Sequence, residues 1–108
     1  MKTMPQIIYP EKPNNIDKEG QARLPDGSIE RYTIVDEICI PQTGLPSKLI
    51  YLQKIQFAGT KTELRLCYYI IGKLPKMKGK WAFGQFATFL PAEDFKKITN
   101  EAEKRGWI

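Results

Sequence analysis

Glu63-Leu64-Arg65-Leu66-Cys67-Tyr68-Tyr69-Ile70-Ile71-Gly72-Lys73 is the stretch on which the fold turns. Along an extended chain, Leu64, Leu66, Tyr68 and Ile70 alternate onto one face, and Arg65, Cys67, Tyr69 and Ile71 take the other. Both sets are largely apolar, which predicts a central strand covered on both sides.

Working outward, the short turn Gly59-Thr60-Lys61-Thr62 joins this strand to a second run, Lys48–Ala58. There Leu49, Tyr51, Ile55 and Phe57 share one side, and Ile50, Leu52, Lys54 and Gln56 the other. The cluster Pro41-Gln42-Thr43-Gly44-Leu45-Pro46 separates that run from a long strand over Ile29–Ile40. Before it, Leu24-Pro25-Asp26-Gly27-Ser28 carries explicit turn chemistry. Proline presets φ, aspartate bonds its own backbone and glycine accepts a positive φ, so Gln21–Leu24 pairs with the residues from Ile29 onward. On the far side, a connection containing Pro75 and Gly79 leads to a last strand, Lys80–Leu90. Four consecutive hairpins make an antiparallel meander.

At Pro91 the period changes. Proline suits the first turn of a helix, where its missing N–H costs nothing. Glu93 and Asp94 complement the positive end of the helix dipole, and Lys104 and Arg105 the negative end. Phe95, Ile98 and Ala102 form a narrow stripe to pack on a sheet. Gly106 sits where a C′ glycine belongs, followed by Trp107 as its hydrophobic clamp. The sequence therefore predicts an α+β fold: an antiparallel β-meander of about five strands with one C-terminal helix packed on the sheet. Residues 21–108 form this single domain. Residues 1–20, with Pro5, Pro10 and Pro13, form an extended arm, and Gln6–Tyr9 is placed to lie against the body as an edge strand. One helix leaves the second face of the sheet for the arm, a second subunit or a ligand.

At 108 residues, with 42% hydrophobic and 27% charged side chains, the chain supports one modest core. No apolar run approaches the roughly 20 residues of a membrane span, and no signal-peptide core follows Met1-Lys2-Thr3-Met4-Pro5, so a cytoplasmic protein is expected. Cys39 and Cys67 each lie in an apolar strand, with one strand between them. Their backbones are then roughly 9–10 Å apart, too far for a disulfide, and buried free thiols are expected. With no histidine in the chain, two cysteines do not make a zinc site. No cofactor is implied.

The charge is unevenly placed. Residues 1–60 carry seven basic and seven acidic side chains and residues 91–108 four of each, so the excess of +5 belongs to residues 61–90. There Lys61, Arg65, Lys73, Lys76, Lys78 and Lys80 face only Glu63, and Trp81, Phe83, Phe86 and Phe89 follow directly. Lysines that neutralise phosphates beside rings that stack on bases are the equipment of a nucleic-acid-binding module. The candidate site is Lys73, Lys76, Lys78 and Lys80 for phosphates, Trp81, Phe83 and Tyr69 for stacking, and Gln85 and Arg65 for hydrogen bonds. Gly79 and Gly84 would let a backbone approach closely. The other function class is a non-catalytic adaptor or accessory subunit, docking a partner protein or a second copy through an exposed sheet face.

Catalysis is not expected. No histidine is present to activate Ser28 or Ser47, both at turns, and nothing marks a desolvated lysine that could serve as the base instead. Asp36-Glu37 and Glu63-Leu64-Arg65 resemble the acidic metal-binding arrangement of restriction-type nucleases. However, Arg65 stands where a lysine is needed, and arginine cannot deprotonate. Over residues 28–105 the order of four antiparallel strands, a basic glycine-containing hairpin and a helix resembles the single-stranded-DNA-binding fold of the Whirly class of transcriptional coactivators. Lys78-Gly79-Lys80 and Glu93-Asp94-Phe95 hold broadly similar places, while Pro91 and the run Trp81–Phe89 fall outside the pattern. The resemblance implies single-stranded DNA as ligand and dimerisation through the sheet or helix.

Overall fold

The computed structural model describes residues 9–73, 75–84 and 87–108. Five strands form one antiparallel sheet in chain order: β1 (Glu19–Arg23), β2 (Ile29–Gln42), β3 (Leu45–Phe57), β4 (Thr62–Ile71) and β5 (Trp81–Phe83). The helix α1 (Ala92–Lys104) closes the chain and contacts β2. The α+β meander with one C-terminal helix on the sheet is therefore the fold. No helix among the described residues is long and apolar enough to cross a membrane.

The turns follow their local chemistry. At the β1–β2 loop, Gly27 has φ 87°, and Asp26 Oδ1 accepts from the Ser28 amide and hydroxyl at 2.9 and 2.6 Å. Between β2 and β3 the turn shrinks to Thr43 and Gly44, the latter at φ 79°. Pro41 and Pro46, expected in the loop, lie within the strands instead. The β2–β3 register shifts between Ile34 and Asp36, so Val35 is a bulge that accentuates the twist of this long pair.

Two faces result. Ile38, Ile50 and Leu52 pack with Ile98 and Ala102 of α1, joined by Ile40, Leu90 and Trp107. On the opposite face, Leu49, Tyr51 and Cys67 cluster with Cys39, Tyr69 and Trp81, and Ile34, Ile55 and Phe57 cluster with Ala22 and Tyr32. The arm crosses this second face: Trp81 Nε1 donates to the Pro10 carbonyl at 2.9 Å, and the Tyr51 hydroxyl donates to the Pro13 carbonyl at 2.7 Å.

Several sequence expectations are corrected. The last strand stops at Phe83 rather than Leu90, and the Phe89 carbonyl accepts from the Lys48 ammonium at 2.7 Å instead of joining a strand ladder. β4 is not covered on both sides: Leu64, Leu66 and Ile70 are 40%, 39% and 42% exposed. A helix about 10 Å wide spans only two strands spaced about 4.8 Å apart, and α1 lies over β2 and β3. Pro91 caps α1 from just outside it rather than sitting in its first turn, and Phe95 faces solvent while Asp94 turns inward. The C-terminal motif forms as expected. Gly106 has φ 76°, its amide donates to the Glu103 carbonyl, and the Trp107 amide donates to that of Ala102. Of the expected edge strand Gln6–Tyr9, only Tyr9 is among the described residues, and it belongs to no strand.

Candidate nucleic-acid interface

The side chains of Arg65, Cys67, Tyr69 and Ile71 alternate onto the arm face of β4. β5 places Phe83 opposite Tyr69 and Trp81 opposite Ile71 in the register. Four of the expected site residues, Arg65, Tyr69, Trp81 and Phe83, thus share one face. Phe83 stands edge-on to Tyr69 with ring centroids 5.3 Å apart, and Tyr69 in turn stands edge-on to Tyr51 at 5.2 Å. The Arg65 guanidinium lies 5.7 Å from the Phe83 ring centre and 5.3 Å from that of Tyr32, a cation held between two π faces.

Arg65 is also fixed by hydrogen bonds. Its Nε donates to Gln53 Oε1 at 2.9 Å and one terminal nitrogen to the Tyr32 hydroxyl at 2.7 Å. Gln53, only 1% exposed, donates to Glu37 Oε1 at 3.0 Å. The Glu37 carboxylate also accepts from the Asn15 amide at 2.8 Å and from Asn15 Nδ2 at 3.3 Å. Asn15 Oδ1 accepts from the Tyr69 hydroxyl at 3.2 Å. A polar chain therefore runs Tyr32–Arg65–Gln53–Glu37–Asn15–Tyr69 across the face. Burial pushes the Tyr69 phenol above its ordinary pKa of 10.0, so it remains a donor at neutral pH.

The lysines occupy the β4–β5 connection. It is closed by the Gly72 amide on the Lys80 carbonyl at 2.9 Å, and Gly79 turns it at φ 75°. Lys73, Lys76, Lys78 and Lys80 are all exposed. Trp81 is half-buried, with its indole N–H spent on Pro10 and its ring 5.9 Å from that of Tyr9. Gln85 lies outside the described residues. Gly79 leaves open space around it, whereas Gly84 is needed by the protein itself: a Cβ there would overlap the Tyr68 ring.

Sequence reasoning missed Tyr32, Gln53, Glu37 and Asn15, which position Arg65 and Tyr69. They come from three segments, the arm, β2 and β3; alternation along β3 puts Gln53 on the arm face, while the bulge at Val35 hides that Tyr32 and Glu37 share it. The acidic pair of the nuclease reading does not assemble. Asp36 pairs with Lys54 on the helix face and accepts from Arg105 at 3.2 Å. Glu63 points to the opposite face two strands away, 3.5 Å from Lys61. No group of three His, Cys, Asp or Glu residues among the described residues could hold a metal ion. No protein family, no curated protein and no solved structure matches this chain.

Proposed function

We propose that the protein is a small nucleic-acid-binding module, with single-stranded or unpaired nucleotides as its preferred ligand. The observation that carries this reading is the adjacency of Arg65 and Phe83. Phe83 is 46% exposed, and the Arg65 guanidinium lies 5.7 Å from its ring centre. The guanidinium has more N–H donors than its bonds to Gln53 and Tyr32 use, so a base stacked on Phe83 finds a fixed cationic donor nearby. The four exposed lysines of the adjoining connection supply phosphate contacts. Trp81 anchors the arm in this arrangement and widens the apolar floor next to Phe83.

Fluorescence anisotropy with labelled single- and double-stranded oligonucleotides at low and high salt tests the proposal. Three or four phosphate contacts on a single strand give a log–log salt slope of about −2 to −3. Joint replacement of Lys76, Lys78 and Lys80 with alanine removes binding, and Phe83→Ala weakens it by about 1–3 kcal/mol. No binding at low salt, or binding indifferent to salt, refutes it.

The exposure of Leu64, Leu66 and Ile70 along β4 favours a second reading, a protein–protein adaptor docking through the helix-side sheet face. Binding of that kind is insensitive to the lysine replacements.

A further inference from the structure

β4 has an unfinished edge. β5 pairs only with Tyr69–Ile71, and one last bond, from the Gly84 amide to the Tyr68 carbonyl, extends that pairing. This bond and the one from Gly72 to Lys80 show that even-numbered residues of β4 turn their backbone groups outward. The bond from the Phe57 amide to the Lys61 carbonyl shows that odd-numbered ones turn toward β3. Thr62, Leu64 and Leu66 therefore present their N–H and C=O groups at an edge that no strand among the described residues pairs. Proteins usually guard such an edge with proline, a bulge or an inward-pointing charge. Neither a proline nor a bulge interrupts Thr62–Leu66; its charges, Glu63 and Arg65, lie on the arm face, and the side chains of Leu64 and Leu66 stand exposed along it.

We propose that a second copy of this chain completes the edge, β4 pairing antiparallel with β4 about a two-fold axis at Leu64 to join both sheets into one. Charge complementarity selects this register. Outward groups meet outward groups only if even-numbered residues face even-numbered ones, which places the axis on a residue rather than between two. An axis at Glu63 sets that carboxylate against itself and Lys61 against Arg65. An axis at Arg65 sets two guanidinium groups face to face. At Leu64, Glu63 of each chain faces Arg65 of the other on the arm face, while Leu64 meets Leu64 and Thr62 meets Leu66 on the helix face. The length also fits. The paired stretch ends at Leu66, and β5 resumes the edge at Tyr68 through Gly84.

Sedimentation analysis of the full chain, from micromolar to millimolar concentration and without nucleic acid, tests this independently of the ligand proposal. The expected result is a reversible dimer. Leu64→Pro removes an outward N–H that β3 does not use, and is expected to give monomers. Glu63→Lys, at an exposed side chain, places like charges opposite Arg65 and weakens the dimer about tenfold or more. It keeps the test sharp even if the proline variant does not fold. In an H-bonded antiparallel pair the two Leu64 Cα atoms are about 5.5 Å apart, within disulfide reach. Mild oxidation of Leu64→Cys therefore yields a covalent dimer, and Ile29→Cys, on another exposed strand, does not. A chain that is monomeric throughout overturns the proposal. So does a dimer that survives Glu63→Lys unchanged, or one that Leu64→Cys fails to cross-link.

Discussion

Thr43 and Asp94, 51 residues apart in the chain, are bound by two hydrogen bonds. The Thr43 amide donates to Asp94 Oδ2 at 2.8 Å and its hydroxyl to Oδ1 at 2.6 Å. Asp94 is the third residue of α1, where a carboxylate commonly reaches back to the N–H of the capping residue. That residue is Pro91, which has no N–H. The carboxylate instead ties the helix to the β2–β3 turn, and in doing so sets the helix's rotation: Asp94, Ile98 and Ala102 face the sheet.

The same bonds make the helix dock acid-sensitive. The Thr43 hydroxyl, and after it the Thr43 amide, hold the Asp94 carboxyl below its ordinary pKa of 3.8, against an opposing effect of burial. A group whose pKa is lowered by folding contributes its full stability above the unfolded value and loses it as pH falls through the folded one. Urea unfolding of the wild type is therefore expected to show a loss of stability that sets in below about pH 4, and Asp94→Asn is expected to lack that component. At neutral pH, Asp94→Ala costs about 1–3 kcal/mol, because both Thr43 donors lose their partner in a buried place.

Glu37 holds the arm. Its carboxylate accepts three N–H groups, two from Asn15 and one from Gln53, and Asn15 is itself buried. Glu37→Gln replaces an acceptor by a group that carries donors, which then face donors. Amide exchange is the suitable measurement, since the Asp17 amide bonds to the Ile34 carbonyl at 2.7 Å and reports arm docking. Exchange at Asp17 is expected to accelerate about 10-fold or more, corresponding to a loss of about 1–3 kcal/mol. Exchange within α1 is expected to stay unchanged.

The meander was legible in the sequence because each of its signals is local. Gly27, Gly59 and Gly79 mark turns that all have positive φ, and Leu64–Ile71 alternates through a full strand. Gly106 and Trp107 close the helix by the same short-range logic. The rotation of α1 was not legible, since it depends on a contact between Asp94 and Thr43 that no periodicity encodes. Nor was the early end of β5, beyond which the Phe89 carbonyl bonds to the distant Lys48. In the candidate site, the common face of Arg65, Tyr69, Trp81 and Phe83 followed from alternation. The polar chain that fixes Arg65, and the arm that occupies the indole N–H of Trp81, are meetings of residues up to 71 positions apart.

The two thiols are expected to be inert in the native protein. Burial pushes the Cys67 thiol up to about 11 and raises that of Cys39, so little thiolate exists near neutrality. Tyr51 lies between them in the register, opposite Cys39 on one side and Cys67 on the other. Reaction with an aromatic disulfide reagent at about pH 8 is expected to be slow for the folded chain. Two equivalents react quickly in denaturant. Fast native reaction at Cys67 would mean that the arm face opens readily.

Gly84 provides the sharpest test of how the Phe83 site is built. The Tyr68 ring lies over it, so a Cβ there overlaps ring atoms. A tilt of the ring disturbs the Lys48 ammonium, which sits 5.0 Å from its centre and also holds the Phe89 carbonyl. Gly84→Ala is therefore expected to cost about 1–3 kcal/mol through overpacking and to break the bond from residue 84 to Tyr68. Gly79→Ala has open space around it and meets only its positive φ, for a cost of about 1 kcal/mol. The two variants separate further in their reach. Displacement at Gly84 shifts Phe83 away from Arg65 while every lysine stays in place. Oligonucleotide affinity is then expected to fall with an unchanged salt slope, the pattern that distinguishes a lost stacking surface from lost phosphate contacts.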